Sequence, residues 1–217
     1  MAGRHQKGAR ALPFDIASLT LSIGMSSPSH TQLDRLASAS AEVTRRFATL
    51  DAVVTDQQWA ARPAPNEWSV AECIAHLNLS SAAMLPRMRT AFDEAKQLPR
   101  VGGRFYNGSL FGRMLARMVG PVPQLLGFKL GRTKTPAAFV PGSELPRAQV
   151  VSEFRRWLAE ELALIWSIED LQIDRVTIES PFVAGARYDG FSALWIVVQH
   201  ELRHVVQAER ALARLAK

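Results

Sequence analysis

Apolar positions recur at a helical period over most of the chain. From Thr31 to about Val54, Leu33, Leu36, Ala37, Ala41, Val43, Phe47 and Leu50 fall near a 3.6-residue repeat, which predicts a first helix. Pro28 and Ser29 stand where a helix start is expected. Thr55 to Ala61 reads as one more short turn, and Pro63 and Pro65 then break the chain. A second helix is predicted from Ser69 to about Gln97. Its start carries Ser69 and Glu72, a Ser-x-x-Glu capping box in which each side chain satisfies a backbone N–H of the first turn. Pro86 lies inside it and is expected to kink or split it. A third helix runs from Arg147 to Asp170, with Val150, Phe154, Trp157, Leu158, Leu162, Ile165 and Ile168 as its apolar stripe. Gln172 to Gly190 is a connection with a short extended piece at Val176 to Ile178. A fourth helix starts at Phe191 or Ser192 and reaches Leu215.

Between the second and third helices the pattern dissolves. Gly102, Gly103, Gly108, Gly112, Gly120, Gly127, Gly131 and Gly142 punctuate Leu98 to Pro146, and only Tyr106 to Val119 reads as a short amphipathic helix. Four long helices with apolar stripes bury them against one another. The fold expected is therefore all-α, an antiparallel four-helix bundle with a long irregular crossover between the second and third helices. The beginning of the chain differs. Arg4, Lys7 and Arg10 precede an apolar stretch from Leu12 to Ile23, as in a signal peptide, but Pro13 and Asp15 interrupt it and no clear cleavage site follows. Residues 1–28 are expected to be a disordered extension, with Met25 as an alternative start, and residues 29–217 a single helical domain.

Composition narrows the class. The 217 residues suit one domain, and 47% hydrophobic with 21% charged residues is ordinary for a globular protein. No apolar run approaches the roughly 18 to 20 residues that span a bilayer, so no membrane partner is expected. Cys73 is the single cysteine, which excludes a disulfide scaffold or a cysteine zinc site within one chain and fits a cytoplasmic location. The net charge of +6 would permit nucleic-acid binding. The arginines, however, alternate with Glu and Asp and lack interleaved aromatics, so a solvated basic surface is expected and no nucleic acid.

The candidate chemistry lies in the histidines. His200 and His204 are four apart on the fourth helix and therefore share a face, while His76 lies on the second. Two imidazoles at that spacing can reach one metal ion, and a third from another helix would complete a site with positions open to water or substrate. The same residues also fit buried histidines hydrogen-bonded in a core. Residues 200–204, His-Glu-Leu-Arg-His, match the zinc-protease pattern H-E-x-x-H, with Glu201 as general base. Arg203 places a charge where that pattern normally has none, and the thirteen residues after His204 leave little room for a further ligand. Outside that pattern, Glu201 is expected to be a surface carboxylate or a neighbour of the ligands. Arg203 is expected to pair with a carboxylate. Gln207 would hydrogen-bond a ligand or fill the core, Cys73 would pack one turn before His76, and Trp68 and Trp195 would pack in the core.

The stretch Asn66-Glu67-Trp68-Ser69-Val70-Ala71-Glu72-Cys73-Ile74-Ala75-His76-Leu77 resembles the opening signature of the DinB-like (YfiT-like) superfamily of metal-binding four-helix bundles. His200-Glu201-Leu202-Arg203-His204-Val205-Val206-Gln207 is similar to its last-helix motif, and Phe139, Val140 and Pro141 before the third helix are also similar. The resemblance runs from about Gln32 to Leu215. The residues themselves offer Gln207, Glu201 and Arg203 as neighbouring candidates for orienting a ligand or touching substrate, and the resemblance implies one divalent metal, zinc or nickel, held by His76, His200 and His204. It also implies a homodimer. Members with known activity include transferases using bacillithiol or mycothiol and glutathione-dependent isomerases. The function expected is thus a metal-dependent thiol S-transferase or hydrolase acting on a small-molecule substrate. The alternative is a non-catalytic metal-binding stress-response or interaction protein, and an H-E-x-x-H metallopeptidase ranks behind both.

Overall fold

The computed structural model describes residues 28–121 and 135–216. The protein is mostly helical. Its elements are α1 (Pro28–Val53), α2 (Asp56–Ala60), α3 (Val70–Ala95), α4 (Leu110–Val119), α5 (Arg147–Ser167), β1 (Thr177–Glu179), β2 (Arg187–Asp189) and α6 (Gly190–Leu215), with short 3-10 turns at Ala137–Phe139 and Ile173–Arg175. The expected disordered extension falls almost wholly outside the described residues, as do residues 122–134 of the crossover.

Local chemistry explains the helix starts. Ser69 caps α3 with the reciprocal Glu72 bond, and the same device recurs at α2 between Thr55 and Gln58. Asp189 caps α6 by accepting from the Ser192 N–H, and Ser109 caps α4 by accepting from the Gly112 N–H. Of the two outcomes expected at Pro86, a kink or a split, the split does not occur, and α3 runs unbroken through it. The carbonyl that Pro86 leaves unpaired belongs to Ala82, and both residues lie on the exposed face, where water can satisfy it. The third helix ends at Ser167 rather than Asp170: Ile168 already leaves helical geometry with φ −108° and ψ 9°, and Asp170 then takes a φ of 64°.

Side-chain bonds between the helices set their directions. Asn78 and Arg89 of α3 bond to Val150 and Glu160 of α5, so these two helices run the same way. Arg46 of α1 bonds to Glu209 of α6, and Arg147 at the start of α5 reaches Asp51 near the end of α1. Arg214 near the end of α6 reaches Glu67 just before α3. Hence α1 and α6 run one way and α3 and α5 the other. The second and third long helices are parallel neighbours, not antiparallel ones, and the chain between them must return the length of the molecule. That is the physical reason for a crossover. α4 forms part of it, inside the short helix expected over Tyr106 to Val119, and packs on α6. Connection Gln172–Gly190 closes as a small antiparallel hairpin pairing Ile178 with Tyr188.

The core divides in two. One cluster joins Leu33, Leu36, Met88, Phe92, Ile165 and Leu194. The other joins Phe47, Ile74, Leu77, Phe154, Leu158 and Val205, with Phe47 and Phe154 edge to face at 4.8 Å. Between them the buried positions are polar: Ser40 on α1, Ser81 on α3, Glu161 on α5 and Glu201 on α6. In α1 it is Ser40 that faces inward while Ala41 is exposed, the reverse of the apolar stripe read from sequence.

Candidate metal centre

α3 and α6 pack side by side and bring the three histidines together. One potential ligand atom from each of His76, His200 and His204 lies within 4.8 Å of the other two. The ring centroids are 5.0 Å apart for His76 and His200, 4.5 Å for His76 and His204, and 4.6 Å for His200 and His204. His76 is 4% exposed, whereas His200 and His204 each keep an edge at the surface.

One ring is oriented by the backbone. His76 Nδ1 lies 2.8 Å from the carbonyl oxygen of Phe139. A carbonyl only accepts, so Nδ1 carries the proton and donates it, and the lone pair of His76 is on Nε2. That Nε2 faces His200 Nε2 at 3.2 Å. A carbonyl behind a histidine is the arrangement that sets tautomer and basicity in a metal ligand. The 3-10 turn Ala137–Phe139 provides it, which gives Phe139 a role in the site.

The electrostatics favour neutral rings. Burial pushes His76 below the ordinary histidine range, opposed by its bond to Phe139. Burial, then the neighbouring His76 and Arg203, push His200 down to about 3. His204 is driven well down by burial, then by His200, His76 and Arg203, with Gln207 acting in the opposite sense. Neutral imidazole is the form that binds metal. The Nδ1 of His204 is buried with no hydrogen-bond partner among the described residues. Three neutral imidazoles, one with its tautomer fixed and one with an unpaired nitrogen, fit a divalent metal ion.

Aromatic side chains wall the cluster. Trp68 is not simply core: its ring centroid is 5.0 Å from that of His76 and 5.9 Å from that of His204. Phe182 lies 6.2 Å from His200 and 4.7 Å from Phe139. Trp195 packs against the core as expected. Cys73 is fully buried among apolar residues, and burial pushes its thiol far up, so it stays a neutral thiol.

Among the other sequence candidates, Glu201 is a correction. It is 1% exposed, not at the surface, because it faces inward between helices. It accepts from Ser81 Oγ at 3.4 Å and stands against Glu161. That direction takes it away from the histidine cluster, and it is not one of the grouped ligand residues, which counts against a general base in an H-E-x-x-H site. Arg203 donates to the Met118 carbonyl at 3.1 Å and so ties the end of α4 to α6. Gln207 sits half-buried beside His204. Sequence reading missed the Phe139 carbonyl, because a backbone acceptor has no residue signature, and it missed Phe182. It also passed over Glu161, whose signal was present: a carboxylate one turn from Leu158 and one from Ile165, at a core position of the third helix.

Among the described residues no helix is long and apolar enough to cross a membrane. No curated protein and no solved structure matches the chain. The family model described as the DinB superfamily matches residues 35–208, which include all three histidines, Trp68 and the Phe139 turn, and the chain therefore belongs to the DinB superfamily.

Proposed function

We propose that His76, His200 and His204 hold one divalent metal, zinc or nickel, and that the centre serves a metal-dependent thiol S-transferase or hydrolase. The observation that carries this reading is the convergence of three neutral imidazoles, with ligand atoms within 4.8 Å of one another, at a site that keeps an exposed edge. A divalent ion bound there would favour the anionic form of a thiol or water at neutral pH. The chain's own residues do the rest. The Phe139 carbonyl keeps the His76 proton on Nδ1, and Trp68 and Phe182 keep bulk water from two sides of the cluster. The exposed edges of His200 and His204 leave the approach for a small substrate.

The same reading takes α1, α3, α5 and α6 as a four-helix bundle that makes residues 29–217 one domain, in a cytoplasmic protein. It also takes the protein as a homodimer. In support, α4 leaves Leu110, Phe111, Met114 and Met118 exposed in one row, an apolar surface that a second copy would cover.

The test is elemental analysis of untagged protein purified without chelator, beside a His76→Ala, His200→Ala, His204→Ala variant. About one metal per chain, absent from the variant, is expected. No metal in either, even after zinc or nickel is added, overturns the reading. Metal-loaded protein is then mixed with low-molecular-weight thiols and chlorodinitrobenzene-type electrophiles. Bound metal without turnover across a broad panel leaves the non-catalytic metal-binding protein as the function.

A further inference from the structure

The polar layer that separates the two hydrophobic clusters draws one residue from each long helix: Ser40, Ser81, Glu161 and Glu201. Glu161 is 0% exposed and Glu201 1%. Both oxygens of Glu161 and Oε2 of Glu201 are buried without a hydrogen-bond partner among the described residues. Burying a carboxylate is costly unless it is paired. Among the described residues, only the other carboxyl and the two serines bear on these groups, and no basic side chain is among their influences. Two carboxyl groups and two hydroxyls present six oxygens that can accept or ligate, and the hydroxyls bring only two protons. The layer therefore has an excess of acceptors and negative charge at the centre of an otherwise apolar core.

We propose that this layer is a second cation site, made of oxygen alone, that takes a hard divalent ion such as magnesium, manganese or calcium. A set made only of carboxylate and hydroxyl oxygens suits such ions better than it suits the borderline metals that imidazole prefers. Two carboxylates balance the charge of a divalent ion, so the occupied layer is neutral and can lie in the core. Each ligand comes from a different helix, so the ion would join all four long helices at the level where hydrophobic contact between them is interrupted. The site is independent of the histidine centre. The donor sets differ, and Glu201 faces Ser81 and Glu161 while its chain neighbour His200 faces His76.

The probe is manganese. The His76→Ala, His200→Ala, His204→Ala protein, shown by circular dichroism to be folded, is refolded with Mn²⁺ and freed of unbound ion. Zinc-saturated protein with its histidines intact is treated the same way. The expected result is roughly one Mn²⁺ per chain in both, seen by electron paramagnetic resonance and displaced by excess Mg²⁺ or Ca²⁺. It should be lost when Glu161→Gln and Glu201→Gln are added. No bound manganese overturns the proposal and means that the two carboxyl groups share a proton instead. Manganese that stays bound after both substitutions overturns it as well. Should the glutamine variants fail to fold, the infrared carboxylate bands of the triple-histidine variant decide. Bands of buried carboxylates that shift when Mn²⁺ enters support the site, and unchanged bands refute it.

Discussion

His76 is oriented by a bond to the backbone carbonyl of Phe139 and not to a side chain. The three rings also carry a pH signature. In metal-free protein their native pKa values lie below the ordinary 6.5, that of His200 at about 3. As pH falls through about 6.5, the unfolded chain takes up protons that the native protein refuses. The stability these residues contribute is thus whole above that pH and lost below it, by up to about 1.4 kcal/mol per pH unit for each ring. Glu161, raised to about 7, and Glu201 work in the opposite direction. They bind protons in the native state first, and this adds stability as pH falls from about 7 toward 4.5. The histidine contribution therefore shows as a difference. Urea melts of chelator-treated protein between about pH 7 and 5 should fall off more steeply than those of the triple alanine variant. Equal slopes would mean that the rings titrate normally. Legibility at this scale was uneven. His76, His200 and His204 could be read from type and spacing, whereas Trp68 was read as core and Glu201 was allowed a surface place. Spacing says which residues share a helix face, but not which face a neighbouring helix covers.

The helices differ in how firmly local chemistry sets them. α3 begins where its capping box says, and α5 begins at Arg147 as its stripe requires. α4 instead depends on contact with α6. It buries Gly112 and Ala116, and a Cβ on Gly112 would overlap the side chain of Ser192 near the start of α6. Gly112→Ala raises helix propensity, yet it should cost about 1 to 3 kcal/mol because the close approach is lost. A lower urea midpoint and faster tryptic cleavage at Arg113 or Arg117 are expected. A variant as stable and as protease-resistant as the parent would show that α4 does not rely on this contact. The glycines of the crossover were read as breakers, but Gly112 is a packing residue, a distinction that only the partner surface reveals.

For the whole molecule, the histidine centre joins α3 to α6, helices that run in opposite directions, and α3 also carries the Phe139 turn through His76. A metal that binds there binds the folded state alone. At a free concentration about a hundredfold above its dissociation constant it should add about 2.7 kcal/mol. For a domain of this size that is a rise in Tm of about 5 to 10 °C. Differential scanning calorimetry with zinc or nickel should show the shift in the parent protein and none in the triple alanine variant. A parent Tm that does not move would separate metal binding from the fold.

What the sequence determined alone follows from short-range physics. Helical periodicity, the Ser69–Glu72 cap, the proline breaks and the four-residue spacing of His200 and His204 all act within a few residues, so the mostly helical class and the pairing of His200 with His204 on one face could be read directly. The tertiary structure decided what depends on residues far apart in the chain. It made α3 and α5 run the same way, turned Glu161 and Glu201 toward each other, put the Phe139 carbonyl behind His76 and set Gly112 against Ser192. Such pairings come from burying several amphipathic faces at once, and one stripe taken by itself is compatible with more than one partner.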